Sequence, residues 1–451
     1  MTKTHLIPFL LLPLFAAPVA QADIDLIAIG KIPGNYQDMS TRTAALLENG
    51  VAGNILGGVG SGLAYAGGNV FLGVPDRGPN ATPYNPAIDD TTSYINRFQT
   101  INLSLAPNPG YHPSKTGSLP YILSPFLSAT TLLSNKTALT YGVNGAPALN
   151  TANKFYFSGR SDNFDAAKSS TNPRNARLDP EGIRVSNDGK SVFITDEYGP
   201  YVYQFSRITG NRIKAFKLPA YYAVANVTPV EDTEIAGNTS GRLTNKGMEA
   251  LAITPDGATL VGMMQQNLIQ DTKKYVRIIT IDIADGTTHE YAYLLTDGSS
   301  VSDILAINNH EFLVDERDGS GLGDGSAAVT KKLFKIDLAG ATEISTPTIG
   351  AGTPTVGKTL FLDVVAQLNA NGVTSDRIPA KIEGVAFGPD LVVEGVNKHT
   401  LFIANDNDFL PAVGGIANPN QFFVFSVDEA DLPDFVPQTI APIASDDHDH
   451  G

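Results

Sequence analysis

The 451-residue chain contains no cysteine and no tryptophan, and its basic residues are in the minority. Without cysteine there can be no disulfide, no thiolate-bound zinc or iron–sulfur cluster and no cysteine nucleophile. The 31 Lys and Arg residues are outnumbered by 46 Asp and Glu residues, which gives a formal net charge of −15. Because non-specific binding to nucleic acid or to anionic lipid needs a basic surface, this charge argues against both partners.

Long hydrophobic runs are also scarce, and the chain has one only at its amino terminus. Residues 1–22 combine a lysine near the start, an apolar run over residues 6–19 and the small-x-small sequence Ala20-Gln21-Ala22. This arrangement is typical of a secretory signal peptide, so we predict export to a periplasm or to the outside of the cell. No later run reaches the roughly 18 apolar residues of a membrane helix, and we expect no membrane span.

A repeated pattern runs through the rest of the chain. Each copy reads as a short apolar strand, a turn with Asp, Asn or Gly, a second apolar strand and a polar cluster, and further strands usually follow. The clearest copies occupy residues 179–198, 246–265 and 381–407, and weaker copies occupy residues 301–319 and 58–78. Four strands repeated around a ring are the pattern of a β-propeller, so we predict an all-β propeller with four-stranded blades.

Five repeats are visible. A sixth blade is the alternative, because the segments at residues 106–178 and 219–245 are long and their strand pattern is ambiguous. The fifth copy has a third strand at residues 421–427 and no obvious fourth strand. We therefore expect an N-terminal strand at residues 25–31 to supply it and to close the ring. The expected segments are a signal peptide, a propeller domain and a flexible acidic tail with histidines: residues 1–22, 23–440 and 441–451.

Acidic residues recur at the same two places in each repeat. In a blade the innermost strand lines the central channel and the next strand returns antiparallel, so the start of the first and the end of the second share one face. The spacing fits this register, because 16 residues separate Glu181 from Glu197 and also Glu249 from Gln265. Converging carboxylates repel one another, and Ca²⁺ accepts six to eight oxygen ligands in a loose geometry. We predict a calcium site at this face, with the following ligands: Glu181, Glu249, Glu383, Asp303, Asp315, Glu316, Asp406, Asp408 and Asp76.

Basic residues stand beside these acids, among them Arg77, Arg317 and Lys381. Cations and basic side chains together suit a phosphate ester, whose oxygens need positive charge and whose cleavage needs an activated water. The alternative is that the acids only form ion pairs between blades and cap turns. A phosphate-binding loop at residues 57–62 is disfavoured because no helix follows the glycines, and the histidines stand too far apart to suggest Ser-His-Asp catalysis.

Five stretches of the chain resemble one known family, the phytase-like family labelled esterase-like activity of phytase. The resemblance rests on GVGSGLAYAGGNVFLGVPDRGPN, LDPEGIRVSNDGKSVFITDEYGP, NKGMEALAITPDG, SDILAINNHEFLVDERDG and KIEGVAF followed by ANDNDF, and it covers roughly residues 50–430. It implies a propeller, an exported bacterial protein and a hydrolase for phosphate esters. The site positions that it implies are Asp76, Arg77, Asp179, Glu181, Asp196, Glu197, Glu249, Asp315, Glu316, Arg317, Glu383, Asp406 and Asp408.

These observations favour a calcium-dependent phosphoesterase that acts on a small-molecule phosphate ester. In this interpretation calcium polarises the phosphoryl group, an arginine binds its oxygens and an acid orients the attacking water. The predicted catalytic residues are Glu197, Asp196, Arg77 and Arg317. Two alternatives use the same carboxylates: a propeller that binds a metal or ligand without turnover, and a lactonase-like hydrolase. We expect the protein to be a monomer.

Overall fold

The computed structural model describes residues 24–85, 89–168, 170–393 and 395–443. The predicted signal peptide at residues 1–22 lies outside the described residues, as does the predicted tail from residue 444 onwards. Within the described part of the chain, no helix is both long enough and apolar enough to cross a membrane.

Five antiparallel sheets form the body of the molecule, and each is one blade of a β-propeller whose strands follow one another from the centre outwards. Blade 1 consists of Gly62–Tyr65, Val70–Val74, Arg97–Pro107 and Tyr121–Leu132. Blade 2 consists of Pro180–Val185, Ser191–Asp196, Tyr201–Ser206 and Arg212–Lys217. Blade 3 consists of Met248–Ile253, Thr259–Met264, Tyr275–Asp282 and Thr288–Leu294. Blade 4 consists of Ser300–Ala306, Glu311–Arg317, Lys331–Asp337 and Lys358–Asp363.

Blade 5 is built from both ends of the chain. It consists of Lys381–Phe387, Val396–Asp406, Asn420–Asp428 and the N-terminal strand Ile24–Ile32, and a short strand Leu391–Val393 also pairs with its second strand. The N-terminal strand runs antiparallel to the third strand, with Ile24 opposite Val427 and Ile32 opposite Asn420. The predicted all-β propeller and its closure by the N-terminal strand are therefore confirmed, and the described residues form five blades rather than six.

The first strands of the blades form the wall of the central channel. Each packs against the first strands of the two neighbouring blades, and Gly62–Tyr65 of blade 1 meets Lys381–Phe387 of blade 5. Apolar side chains fill the space between blades, so that Phe193 of blade 2, Leu251 of blade 3 and Ile304 of blade 4 belong to one buried cluster. Each blade thus buries both of its faces against its neighbours, and the ring is stabilised mainly by this burial.

The remaining elements are short. The described two- to six-residue strands outside the blades are Asn80–Asn85, Asp89–Thr91, Ser134–Asn135, Phe155–Tyr156, Ala412–Val413 and Ile416–Ala417. The α-helices are Glu231–Gly237 and Val364–Ala370, and the 3₁₀ turns are Thr41–Thr43, Ala220–Tyr222, Ser375–Arg377 and Glu429–Asp431. The second α-helix is capped by Asp363, whose Oδ1 accepts a hydrogen bond of 2.9 Å from the backbone nitrogen of Ala366.

A β-bulge recurs near the start of the first strand in blades 2 to 5. In blade 2 the register shifts between Pro180 and Ile183, around the Glu181-Gly182 pair, and equivalent shifts occur in the other three blades. A bulge redirects the side chain beside it, so the inner-strand acid leaves the alternating pattern of the sheet. In blade 2 glycine follows the acid because the next blade lies close: a Cβ at Gly182 would stand 2.7 Å from the Cβ of Leu251.

The two ends of the channel differ. The end at which the first strands begin is called the mouth below, and it carries most of the acidic residues predicted as site residues. The opposite end is crossed by the C-terminal segment of residues 435–441. There the backbone nitrogen of Val436 donates to the carbonyl oxygen of Ile307 over 2.9 Å, and Gln438 Nε2 donates to the carbonyl oxygen of Val185 over 2.8 Å.

Candidate functional site

The mouth is formed as the repeat register predicts. Pro180, at the start of the first strand of blade 2, pairs with Asp196 at the end of the second, and Lys381 pairs with Asp406 in blade 5. These pairings bring the acids on either side of each hairpin to one end of the channel. The resulting site has three parts and an adjoining cleft.

The first part is a cluster of three buried carboxylates, called the carboxylate cluster below: Asp179, Glu181 and Glu197. One carboxylate oxygen from each residue lies within 4.8 Å of those from the other two. Asp179 accepts a hydrogen bond of 2.9 Å from the backbone nitrogen of Arg77 and forms a 3.0 Å ion pair with its guanidinium. Glu197 Oε1 accepts a hydrogen bond of 2.8 Å from the backbone nitrogen of Gly247. The Glu181 carboxylate makes no hydrogen bond or ion pair with any described residue.

The electrostatics of this cluster disfavour three free negative charges. Burial raises the pKa of Glu181 well above its usual range, and the charges of Glu249 and Asp179 raise it further. Burial and the neighbouring Asp179 also raise the pKa of Glu197. Carboxylates in such surroundings keep their charge only when a cation or hydrogen-bond donors compensate it. The cluster therefore has the composition of a cation site.

The second part of the mouth joins blades 3, 4 and 5. Glu249 Oε1 accepts a hydrogen bond of 2.6 Å from Gln265 Nε2, and the Oε2 atom of Glu249 is buried with no partner among the described residues. Arg317 forms an ion pair with Glu383, and its Nη2 atom lies 3.9 Å from Glu249 Oε1. Its Nε atom donates to the hydroxyl of Ser302 over 2.5 Å. Arg317 thus compensates the charge of two inner-strand glutamates.

The third part of the mouth joins blades 5 and 1. The Nζ atom of Lys381 lies 2.7 Å from Asp406 Oδ2 and 2.5 Å from Asp408 Oδ1. Asp76 Oδ1 accepts a hydrogen bond of 2.8 Å from the backbone nitrogen of Gly78. Burial raises the pKa of Asp76 well above its usual range, and the nearby charge of Asp406 adds to this effect. Lys381 thus pairs with Asp406 and Asp408, and the charge of Asp179 in the carboxylate cluster also raises the pKa of Asp76.

Two acids predicted as metal ligands have other partners in the structure. Asp303 lies in the channel, where both of its carboxylate oxygens are 3.0 Å from Nη2 of Arg184. Glu316 points to the opposite face of its strand from Arg317, as the alternation of a strand requires. It accepts a hydrogen bond of 2.6 Å from the hydroxyl of Tyr293 and forms an ion pair with Lys358. For these two residues the ion-pair interpretation describes the structure better.

Two further acids lie beside the mouth. Asp315 is buried, neither of its carboxylate oxygens has a hydrogen-bond partner among the described residues, and burial raises its pKa well above the usual range. Asp196 Oδ1 accepts hydrogen bonds from the backbone nitrogens of Asp179, over 3.2 Å, and Tyr198, over 3.1 Å. Asp196 was predicted to be catalytic. In the structure its carboxylate fixes the backbone at Asp179 and at Tyr198, the residue after Glu197.

A narrow cleft opens beside the carboxylate cluster, with a cavity volume of about 30 Å³. Asp179 and Glu197 line one side, and the other side is built from the long segments at residues 161–177 and 228–245. Three arginines line the cleft: Arg77, Arg177 and Arg242. The sequence indicated Arg77, but it did not indicate the other two, because their segments belong to no repeat and carry no strand pattern. No sequence signal singled them out.

The model of the family described as "Phytase-like: Esterase-like activity of phytase" matches residues 54–409. The chain belongs to this family. An "Uncharacterized secreted protein" of Arthroderma benhamiae is 28% identical over 355 residues, which are 65% of this chain and 63% of that protein. The match thus spans less than two thirds of the relative. Because this relative is fungal, the bacterial origin implied by the resemblance stays a prediction.

Solved propellers resemble the chain only distantly. The PQQ-bound aldose sugar dehydrogenase of Streptomyces coelicolor is 12% identical with a TM-score of 0.33, over 91% of this chain and 100% of that chain. The Cps50 (Swd1) β-propeller domain of Myceliophteria thermophila is 12% identical with a TM-score of 0.23, over 53% of this chain and 56% of that chain. Similarity at this level does not bear on function.

Proposed function

We propose that the protein is an exported, calcium-dependent hydrolase of phosphate esters that acts at the mouth of the propeller. The observation that carries the proposal is the carboxylate cluster, in which three buried acids bring oxygens within 4.8 Å of one another. Acids in an ion-pair network are matched by cations, whereas Glu181 has no such partner among the described residues. Membership of the phytase-like family supports ester hydrolysis as the reaction.

The donor set of the cluster fits calcium. All three side chains offer carboxylate oxygens, and no histidine belongs to the cluster. Calcium prefers such hard oxygen ligands and tolerates irregular arrangements of them. The buried and unpartnered Oε2 of Glu249 belongs to the same mouth and is a further candidate donor. Asp179, Glu181 and Glu197 would hold the ion.

Each neighbouring side chain then has a distinct task. A bound calcium ion would supply a Lewis acid that polarises a phosphoryl oxygen. Arg77 lines the cleft with its guanidinium in contact with Asp179 and Asn245, and we assign it to binding a phosphoryl oxygen. Glu197 Oε1 accepts the hydrogen bond from Gly247, and we assign the Glu197 carboxylate a second role beyond holding the ion, which is to orient the attacking water.

Two of the predicted catalytic residues take supporting tasks in this proposal. Asp196 accepts hydrogen bonds from the backbone of Asp179 and Tyr198, so it is a positioning residue for the carboxylate cluster. Arg317 is held by Glu383 and Ser302, and we assign it to balancing the negative charge of the mouth. Neither residue needs to touch the substrate.

The mature protein can be tested on a panel of phosphate monoesters, phosphate diesters and lactones, with calcium and after chelation. We expect calcium-dependent release of phosphate and no lactone hydrolysis. Calcium binding without turnover of any ester would show a binding propeller instead. Hydrolysis confined to lactones would show a lactonase-like enzyme.

Export is part of the same proposal. Residues 1–22 have the pattern of a signal peptide, and the relative from Arthroderma benhamiae is described as secreted. We expect the chain isolated from the native host to begin at Asp23 and to be recovered outside the cytoplasm. Mass spectrometry of the intact protein measures this directly, and an uncleaved terminus on cytoplasmic protein would contradict it.

A further inference from the structure

Arg177 is a buried cation that has no acidic ion-pair partner among the described residues. Its side chain lines the cleft beside the carboxylate cluster, and the residue is only 3% exposed. Its Nη1 atom donates a long hydrogen bond of 3.4 Å to the carbonyl oxygen of Ser161, and its Nη2 atom has no hydrogen-bond partner among the described residues. The guanidinium carbon lies 4.6 Å from the ring centre of Phe164 and 5.1 Å from that of Tyr198.

The other two arginines of the cleft are already paired. Arg77 forms its ion pair with Asp179, and Nη1 of Arg242 lies 2.8 Å from Oε1 of Glu234. Arg177 makes no such pair with a described residue, although burying an uncompensated charge is costly. A buried guanidinium that keeps an unused donor beside a cleft is most simply explained by an anion that enters the cleft.

We infer that the cleft is an oxyanion subsite and that Arg177 donates hydrogen bonds to a phosphate group bound there. This inference rests on the proposed function for the identity of the anion. The planar guanidinium suits phosphate because its N–H donors can bind two oxygens at once. The rings of Phe164 and Tyr198 fix its plane and restrict the access of water to it.

The position of the subsite narrows the substrate class. Asp179 and Glu197 of the carboxylate cluster form one wall of the cleft. A group bound in the cleft therefore lies within reach of both the arginines and these carboxylates. Because Arg177 forms no ion pair with a described residue, its guanidinium favours an oxyanion with several charged oxygens over a neutral ester or a lactone. The preferred ligand is therefore a phosphate monoester or the inorganic phosphate released from it, and the two share the same binding chemistry.

Titration calorimetry with inorganic phosphate tests the inference on calcium-loaded protein and on chelated protein. We expect Arg177→Gln to weaken phosphate binding by about 10- to 100-fold, the range for loss of a hydrogen bond between charged groups. Arg177→Lys keeps the charge but not the planar fork, so we expect a smaller loss. It also keeps the inference testable if the glutamine variant does not fold.

Arg212→Gln is the matched control. Arg212 is likewise flanked by two rings, with its guanidinium carbon 5.2 Å from the ring centre of Phe157 and 5.0 Å from that of Tyr203. It does not line the cleft, and its Nη1 atom donates to the carbonyl oxygen of Pro173 over 2.6 Å. The control removes the same charge from a similar setting, and we expect phosphate binding within about twofold of the wild type, since Arg212 does not line the cleft and cannot donate to a ligand bound there.

The outcomes separate this inference from the proposed function. Unchanged phosphate binding in Arg177→Gln, or no binding to the wild type, overturns the inference even if calcium and ester hydrolysis behave as proposed. Arg177-dependent binding without ester hydrolysis supports the inference and contradicts the proposed function. Phenylphosphonate, an analogue that cannot be hydrolysed, is titrated in parallel: tighter binding of phosphonate identifies a substrate subsite and tighter binding of phosphate a product subsite, and dependence on Arg177 supports the inference in both cases.

Discussion

Individual acids at the mouth differ in what balances their charge. Asp303 and Glu316 each have a basic partner and additional hydrogen-bond donors, as expected of residues that stabilise the fold. The three acids of the carboxylate cluster crowd one another, and a single ion pair, from Arg77 to Asp179, reaches them within the described part of the chain. The acids of one ring therefore differ in charge balance: some are matched by basic partners, and the carboxylate cluster is matched only in part.

The Asp303–Arg184 pair provides the first prediction. Removing one member of a buried ion pair leaves the other charge uncompensated, so Asp303→Ala should lower the free energy of unfolding by about 3–5 kcal/mol. We expect this loss in denaturant unfolding both with calcium and with chelator, and calcium affinity should stay near that of the wild type. Reduced calcium affinity at unchanged stability would instead restore Asp303 as the metal ligand that the sequence predicts.

The second prediction concerns pH. Burial raises the pKa of Asp196 to about 7, whereas an aspartate in an unfolded chain titrates near 3.9. The folded protein therefore binds this proton more tightly than the unfolded chain does. The stability that the protonated Asp196 side chain contributes is fully present below about pH 4 and is lost as the pH rises through about 7. We expect the melting temperature of calcium-free protein to fall between about pH 5 and pH 8.

Asp196→Asn should show a weaker fall over the same pH range, because its side chain no longer titrates. Asp188→Asn is the control, since hydrogen bonds from Ser186 and the backbone of Lys190 lower the pKa of Asp188 and place its titration below that range. Identical pH slopes in the Asp196→Asn variant and the wild type would refute the assignment of this effect to Asp196.

At the scale of elements, the repeats made most of the fold predictable. The hairpins, the four-stranded blades and the closing N-terminal strand follow from alternating apolar residues and turn signals, which are local features. The shared face of the inner acids follows from the 16-residue spacing. The bulges could not be predicted, because they depend on how closely the neighbouring blade approaches.

The site was less predictable than the fold for a related reason. Because side chains alternate along a strand, Glu316 and Arg317 point to opposite faces of the strand Glu311–Arg317. Which of the two faces the mouth can be decided only when the strand register is known. Arg177 and Arg242 lie in segments outside the repeats, and tertiary contacts alone bring them to the carboxylate cluster. Repeats reveal residues that recur in every blade, whereas much of the lining of this cleft comes from segments outside the repeats.

The bulge in blade 2 yields the third prediction. A methyl group at Gly182 would approach both the Cβ and the backbone nitrogen of Leu251, at 2.7 and 2.8 Å. Gly182→Ala should therefore cost about 1–3 kcal/mol of unfolding free energy through overpacking. Gly357→Ala is the matched control, because no atom lies within 4 Å of its added Cβ. Equal melting temperatures for the two variants would contradict the prediction, because they would show that the first strands of blades 2 and 3 move apart without cost to accommodate the methyl group.

At the scale of the whole molecule, the ring is held closed by one strand from the N-terminus. Without Ile24–Ile32, the strand Asn420–Asp428 becomes an open edge with unpaired backbone groups, which favours aggregation. A chain that begins at residue 33 should therefore fold poorly, whereas one that begins at residue 23 should melt cooperatively. A synthetic peptide of residues 24–32, added to the shorter chain, should partly restore its cooperative thermal unfolding. An unchanged melting temperature in the shorter chain would contradict closure by this strand.

The central claim is that the carboxylate cluster binds calcium and supports hydrolysis. Glu181→Gln keeps the shape of the side chain and removes one negative charge from a crowded group, so the fold should persist and chelated protein should not lose stability. If Glu181 ligates the metal of a phosphoesterase, calcium affinity should fall and turnover should drop by about 100-fold or more, which corresponds to about 3 kcal/mol of lost stabilisation.

The most direct measurement therefore compares the wild type, Glu181→Gln and Asp188→Asn by calcium titration and by hydrolysis of the best ester from the panel. Asp188 lies in the hairpin turn of the same blade, where asparagine accepts the same backbone hydrogen bond, so this variant should match the wild type in both assays. The account predicts that only Glu181→Gln loses calcium affinity and activity together. Full calcium affinity and full activity in Glu181→Gln would contradict it.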